Sequence, residues 1–204
     1  MATQFAFYFD QTRCMGCNTC TVSCKDWNQV EPGPARWRKL RVTESGVFPD
    51  TAVFNLVMAC NHCANPACLT ACPVGAIYKR SEDGIVLVDR TKCQSLRACA
   101  ARCPYGTPQF ADDAQEPAKD ASWTVAHPMQ KCTLCVDRVT VGKNPACVDS
   151  CPQRALDFGT MEALLAKYPS AQRAVVGLPD TARDPQGNLL DKDTVPSILF
   201  KPRS

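Results

Sequence analysis

Fifteen of the 204 residues are cysteine, and they recur in four groups that open on a two-residue step, cross a gap of two, four or more residues and close on Cys-x3-Cys. Cys14, Cys17, Cys20 and Cys24 form a first group, and Cys60, Cys63, Cys68 and Cys72, followed by Pro73, a second. Cys93, Cys99 and Cys103, followed by Pro104, form a third, with Leu96 where the rhythm requires a cysteine. Cys132, Cys135, Cys147 and Cys151, followed by Pro152, form the fourth. A backbone that must gather thiols this often has little freedom left, so the repeat constrains the fold more than any hydrophobic pattern does. Disulfides explain it poorly. The count is odd, the chain is longer than a stapled mini-domain, and the opening MATQFAFYFDQTRC has no basic, then apolar, leader. Structural zinc is the better alternative, since Cys-x2-Cys pairs make such sites. It gives no reason for triplets closed by Cys-x3-Cys and proline.

Iron–sulfur chemistry accounts for the whole pattern. Cys-x2-Cys-x2-Cys-x3-Cys-Pro is the spacing with which bacterial ferredoxins hold cubane clusters. Three thiolates two residues apart let a tight loop wrap one corner of a cage, with backbone N–H groups turned toward its sulfides. Gly16 suits such a turn, because glycine takes dihedrals closed to other residues. The fourth cysteine follows about one helical turn later, roughly 6 Å along a helix axis. In two-cluster ferredoxins that cysteine binds the neighbouring cluster.

The exchange predicts four ligand sets. Groups two and three are contiguous, so Cys60, Cys63 and Cys68 take Cys103, while Cys93 and Cys99 take Cys72. Groups one and four close across them: Cys14, Cys17 and Cys20 take Cys151, and Cys132, Cys135 and Cys147 take Cys24. Partnered centres would lie on the order of 10 Å apart, near enough for rapid electron tunnelling. Position 96 adds nothing to Cys72, Cys93 and Cys99, because an isobutyl group binds no metal. Three thiolates hold a 3Fe–4S core. The expected complement is therefore three 4Fe–4S clusters and one 3Fe–4S cluster; the alternative is four 4Fe–4S clusters, with one iron held by water or by Ser95.

Between the groups, Phe5, Phe7 and Phe9 alternate as in a strand, VFNLVM (53–58) is a short apolar run, and IYKRSEDGIVLVD (77–89) reads as a hairpin. Ile85 and Leu87 fall on one face of it and Val86 and Val88 on the other. ALDF (155–158) follows group four as AIY follows group two. The expected fold is α+β, two interleaved ferredoxin-like units of βαβ type holding four cubane-type sites, with long loops and a C-terminal arm. Residues 1–59 and 104–169 would form the outer unit, 60–103 the inner unit and 170–204 the extended arm, which packs on its own domain or across a partner. Residues 25–59 and 104–131 read as long connections with surface for partners. Thr160 is placed to cap a helix with Met161, Leu164, Leu165 and Tyr168 on one face, stopped by Pro169.

Little else suggests chemistry. His62, inside Cys-x-x-Cys, is expected to line a cluster and donate a hydrogen bond to it. Trp27, Trp37 and Trp123 suit packing or an interface. No phosphate loop, Ser–His–Asp set or carboxylate pair stands out, so the chain is read as a non-catalytic electron carrier. No apolar run reaches the roughly 18 to 20 residues of a membrane span. The formal net charge of +3 counts every cysteine as neutral. Four ligated clusters at about −2 each would bring the loaded chain to about −5. Arg13, Lys25, Lys92, Arg97, Arg102, Lys131 and Arg138, beside the motifs, read as local charge compensation rather than a nucleic-acid patch.

FDQTRCMGCNTCTVSCKDWN, CNHCANPACLTACPVGAIYKR, CPYGTPQF and KCTLCVDRVTVGKNPACVDSCPQRALDFG together resemble the iron–sulfur subunits of the DMSO reductase and wider molybdopterin oxidoreductase family, over about residues 4–165. The resemblance implies a heterotrimer in anaerobic respiration: a molybdopterin catalytic subunit, this electron-transfer subunit, and an integral membrane anchor oxidising quinol. It also implies a peripheral position on the membrane through those partners and leaves the face open; some family members are exported folded alongside a signal-bearing catalytic subunit. Leu96 departs from the DMSO reductase pattern, which keeps a cysteine there. Nitrate reductase relatives place tryptophan at that point and carry a three-iron cluster. A stand-alone soluble polyferredoxin is the alternative, which would not need the long connections or the arm.

Overall fold

Phe5, Phe7 and Phe9 lie in strand β1 (Phe5–Asp10) of the computed structural model. The structure describes residues 3–111, 120–178 and 194–203, so part of the connection expected over 104–131 and residues 179–193 of the expected arm lie outside the described residues. Simple alternation would leave one face of β1 wet, yet Ala6, Phe7, Tyr8 and Phe9 are all buried. The strand is covered on both faces. It is the middle of a three-stranded sheet, with β6 (Leu156–Thr160) antiparallel on one side and β7 (Ile198–Lys201) parallel on the other. Phe7, Phe9 and Phe200 enter the main core beside Cys20, Cys24, Cys132 and Cys147. Ala6, Tyr8 and Leu199 pack with Leu164 of helix α6 (Met161–Lys167) on the opposite face, and the Tyr8 ring stacks on Tyr168 at 3.6 Å. Each apolar side chain buried this way contributes about 1.5–3 kcal/mol. The last apolar patch of the tail is thus a strand of the chain's own sheet.

The sequence 77–89 forms the expected hairpin, β4 (Ile77–Lys79) against β5 (Val86–Val88), with Tyr78 opposite Leu87. Its two faces serve two cores. Ile85 and Leu87 join the main core, whereas Val86 and Val88 pack with Ala76, Ile77, Cys93, Cys99 and Met129.

Residues 25–59 are more than a connection, and here the sequence reading is corrected. They contain β2 (Lys39–Val47) and β3 (Asp50–Met58), paired antiparallel from Lys39–Met58 to Val47–Asp50. Only the base of β3, Leu56 to Met58, is buried; at the tip Val47 and Phe48 are 82% and 87% exposed. The outer half therefore lacks the one-sided hydrophobic pattern that marks a strand, and backbone pairing carries it.

The remaining helices are short: α1 (Thr19–Trp27), α2 (Ala67–Thr70), α3 (Ala98–Arg102), α4 (Val136–Val139) and α5 (Ala146–Asp149). Helix α1 of group one packs on α5 of group four, and α2 of group two on α3 of group three. The architecture is mixed α/β with small sheets, compatible with ferredoxin-like domains. Among the described residues no helix is long and apolar enough to cross a membrane.

Thr160 caps α6 as expected, its Oγ1 accepting from the Ala163 N–H at 3.1 Å. Leu164 is buried, but Leu165 is 44% exposed, so the packed face is narrower than the four residues expected. Replacing Thr160 by alanine should cost about 1 kcal/mol and serine should restore it; an unchanged unfolding midpoint in Thr160→Ala would contradict the cap.

Candidate metal centres

The four Cys-x2-Cys steps, the third of them Cys93 to Leu96, share one backbone device. The residue before the second ligand position has left-handed dihedrals in every loop: Gly16 (φ 76°), His62 (42°), Ser95 (53°) and Leu134 (58°). L-residues avoid this region, so three of the four loops hold a conformation their side chains disfavour. The third loop keeps it although position 96 is leucine. Asn18 and Arg97, at the N-caps of α1 and α3, both have φ 60°. A further pair follows the prolines: Gly75 and Arg154 also have positive φ. There the Ala76 N–H donates to Cys72 Sγ and the Ala155 N–H to Cys151 Sγ, each at 3.3 Å. The Met129 and Leu134 N–H groups reach Cys93 and Cys132 Sγ at the same distance. Backbone N–H groups aimed at sulfur favour the thiolate that a metal needs.

The thiols converge in four groups. Cys14 and Cys20 each lie within electrostatic reach of Cys17 and Cys151. Cys24 lies within reach of Cys132, Cys147 and Cys135. Cys63 is influenced by Cys60, Cys103 and Cys68, and Cys99 by Cys93 and Cys72. The groups also lie within electrostatic reach of one another in file. Cys147 feels Cys20, Cys132 feels Cys60, and Cys68 feels Cys99.

Two groups line open voids. Cys14, Cys17, Cys20 and Cys151 border one, and Cys72, Cys93, Leu96 and Cys99 border the other. Among the described residues no three His, Cys, Asp or Glu side chains gather as a single ion requires. Leu96 borders its void but is 58% exposed, so it covers the corner only in part. The Ser95 hydroxyl donates to the His127 carbonyl at 2.6 Å and is committed there.

Burial sets the thiol acidities. It pushes Cys68 and Cys132 up to about 12 and Cys99 up to about 11, with neighbouring thiols adding to it, and it raises Cys24 and Cys63 further. Exposed Cys17 moves down instead, through its hydrogen bond with Thr19 at 3.3 Å.

Several buried donors lack protein acceptors. The Nδ1 of His62 accepts from the Val86 N–H at 3.0 Å, which puts the imidazole proton on Nε2, and Nε2 has no partner. Burial first, then Lys131 and Lys79, hold its pKa well below the usual value, so the ring is neutral. Asn61 Nδ2 and two nitrogens of Arg38 are orphaned likewise. Orphaned buried donors cost free energy unless an acceptor arrives, and a sulfide-bearing cage is such an acceptor. Of the basic residues expected near the motifs, Lys131 is buried and acts on Cys68. Arg138 pairs with Asp149 and stacks on Trp27, Arg97 lies over Phe110, and Lys92 pairs with Asp89. Trp37 is a packing residue, its Nε1 donating to Gln130 at 2.8 Å. Asn28, whose amide lies 3.7 and 3.9 Å from Cys24 and Cys135 Sγ, and Arg38 were not foreseen. Neither stands out, Arg38 being one of Arg36, Arg38, Lys39 and Arg41 in a basic run.

Residues 51–161 match the 4Fe-4S dicluster domain family. The B polypeptide of the anaerobic dimethyl sulfoxide reductase of Escherichia coli is 38% identical over all of this chain and 91% of its own length. The B component of the sulfite dehydrogenase of Allochromatium vinosum is 36% identical over 77% of this chain and 69% of its own. The beta component of the chlorate reductase of Ideonella dechloratans is 32% identical over 76% and 66%.

In the folded, metal-free protein, iodoacetamide at neutral pH should modify Cys17 first and Cys132 and Cys147 last. Peptide mass spectrometry of timed samples reads the order; early loss of Cys132 would contradict the burial described.

Proposed function

We propose that this chain, which belongs to the 4Fe-4S dicluster family and to the group of iron–sulfur subunits typified by that of dimethyl sulfoxide reductase, carries single electrons within an oxidoreductase complex. The observation that carries this reading is the file of four thiol groups, each within reach of the next. When bound, iron–sulfur clusters supply one-electron acceptors and donors; the chain's own residues hold them, bury them and turn N–H groups toward their sulfurs.

The ligand sets we propose are Cys14, Cys17, Cys20 and Cys151; Cys24, Cys132, Cys135 and Cys147; Cys60, Cys63, Cys68 and Cys103; and Cys72, Cys93 and Cys99. The first three would take 4Fe–4S clusters and the last a 3Fe–4S cluster. Its three-iron form is supported by the leucine at position 96 and by the commitment of the Ser95 hydroxyl to a carbonyl. Helix packing of α1 on α5 and α2 on α3 supports two interleaved units, an outer one of 1–59 with 104–169 and an inner one of 60–103. His62 Nε2–H is suited to donate to the Cys60 site. The partners in this reading are a molybdopterin catalytic subunit next to the outer pair and a quinol-oxidising membrane anchor next to the inner pair. The chain would then be a non-catalytic, peripheral member of a heterotrimer.

Anaerobically prepared protein should contain about fifteen irons per chain and show a three-iron signal in low-temperature EPR. Leu96→Cys should add a fourth iron to that centre, remove its signal and lower its potential. Cys24→Ser should perturb the centre of Cys132, Cys135 and Cys147 while sparing that of Cys14, Cys17 and Cys20; the opposite pattern would overturn the ligand exchange. Zinc in place of iron would overturn the reading as a whole.

A further inference from the structure

Arg38 precedes β2 and is 1% exposed. Its guanidinium carbon lies 4.5 Å from the centroid of the Phe7 ring, inside the main core. Nε and Nη2 have no acceptor. The thiols that act on it are Cys147, Cys20, Cys132 and Cys24. In the proposed ligand sets Cys20 belongs to one outer set and the other three to the second, so the guanidinium acts on both, and it hydrogen-bonds Cys147 directly.

A buried cation without a partner is strongly destabilising. Arginine does not escape by giving up its proton. An aromatic face answers a guanidinium only weakly. The full answer is negative charge, and thiolate-ligated clusters bring it to both sides of Arg38.

Resting on the electron-carrier reading above, we propose that Arg38 is a shared counter-ion of the two outer centres, its fixed charge and free N–H groups raising the reduction potentials of both. Adding an electron to either centre increases negative charge beside a cation that cannot move away, so reduction becomes easier at each. The inner centres, which have Lys131 beside Cys68, feel Arg38 less. Arg38 is thus a positioning residue that tunes where electrons rest along the file.

The test is a redox titration followed by low-temperature EPR of the cluster-loaded, full-length chain carrying Arg38, Arg38→Gln or Arg38→Lys. The outer signals are identified beforehand by their perturbation in Cys17→Ser and Cys135→Ser. In Arg38→Gln both outer centres should lose about tenfold or more in the ratio of reduced to oxidised form at fixed ambient potential, about 59 mV downward for one electron. The inner centres should shift less, and Arg38→Lys should stay near wild type. Arg38→Gln with every centre present and unshifted would overturn the proposal, as would Arg38→Lys shifting as far as Arg38→Gln. If Arg38→Gln fails to assemble the outer centres, their retention in Arg38→Lys supports the role of charge and their loss there overturns it. A wild-type chain without iron–sulfur signals would instead sink the underlying reading.

Discussion

Each two-residue step that opens a cysteine group, Cys93 to Leu96 included, leaves the right-handed region just before its second position, at Gly16, His62, Ser95 and Leu134. Only the first uses glycine, so the other three loops hold dihedrals that an L-residue occupies at a cost. Metal–thiolate bonding couples to folding and supplies stabilisation on a larger scale than such strain. The main hydrophobic core is one large cluster with a smaller one beside it, and seven of their buried members are cysteines. Cohesion and cofactor binding therefore share residues.

That economy shapes the electrostatics. Thiols packed at this density resist ionisation when buried. Among the described residues His62 is held neutral with its Nε2 proton unclaimed, and Asn61 Nδ2 and the Nε and Nη2 of Arg38 find no acceptor in the chain. A sulfide-bearing neighbour would satisfy donors of this kind.

What the sequence made legible was whatever depended on spacing. The hairpin at 77–89, with Ile85 and Leu87 on one face and Val86 and Val88 on the other, follows from alternation, and the cap at Thr160 from local chemistry. Strands β2 and β3 were not legible, because only Leu56 to Met58 are buried and their outer halves show no apolar side. Within the site, the cysteine groups announced themselves, but the left-handed residues beyond Gly16 did not, since His, Ser and Leu carry no mark of that conformation. Arg38 was hidden for a different reason. Its neighbours Arg36, Lys39 and Arg41 make it look like one charge among several on a wet surface.

The seating of β7 beside β1 also sets an order on biogenesis. In the proposed ligand sets every inner cysteine has been synthesised by Cys103, whereas the outer sets would need Cys147 and Cys151, and the sheet of β1 needs Ile198–Lys201. On a ribosome that emits the polypeptide from its amino end, β1 lacks both of its sheet neighbours until late. The second cysteine loop is incomplete until then as well, because Asn61, Ala64 and Asn65 hydrogen-bond to Ser197, Val195 and Thr194 of the tail.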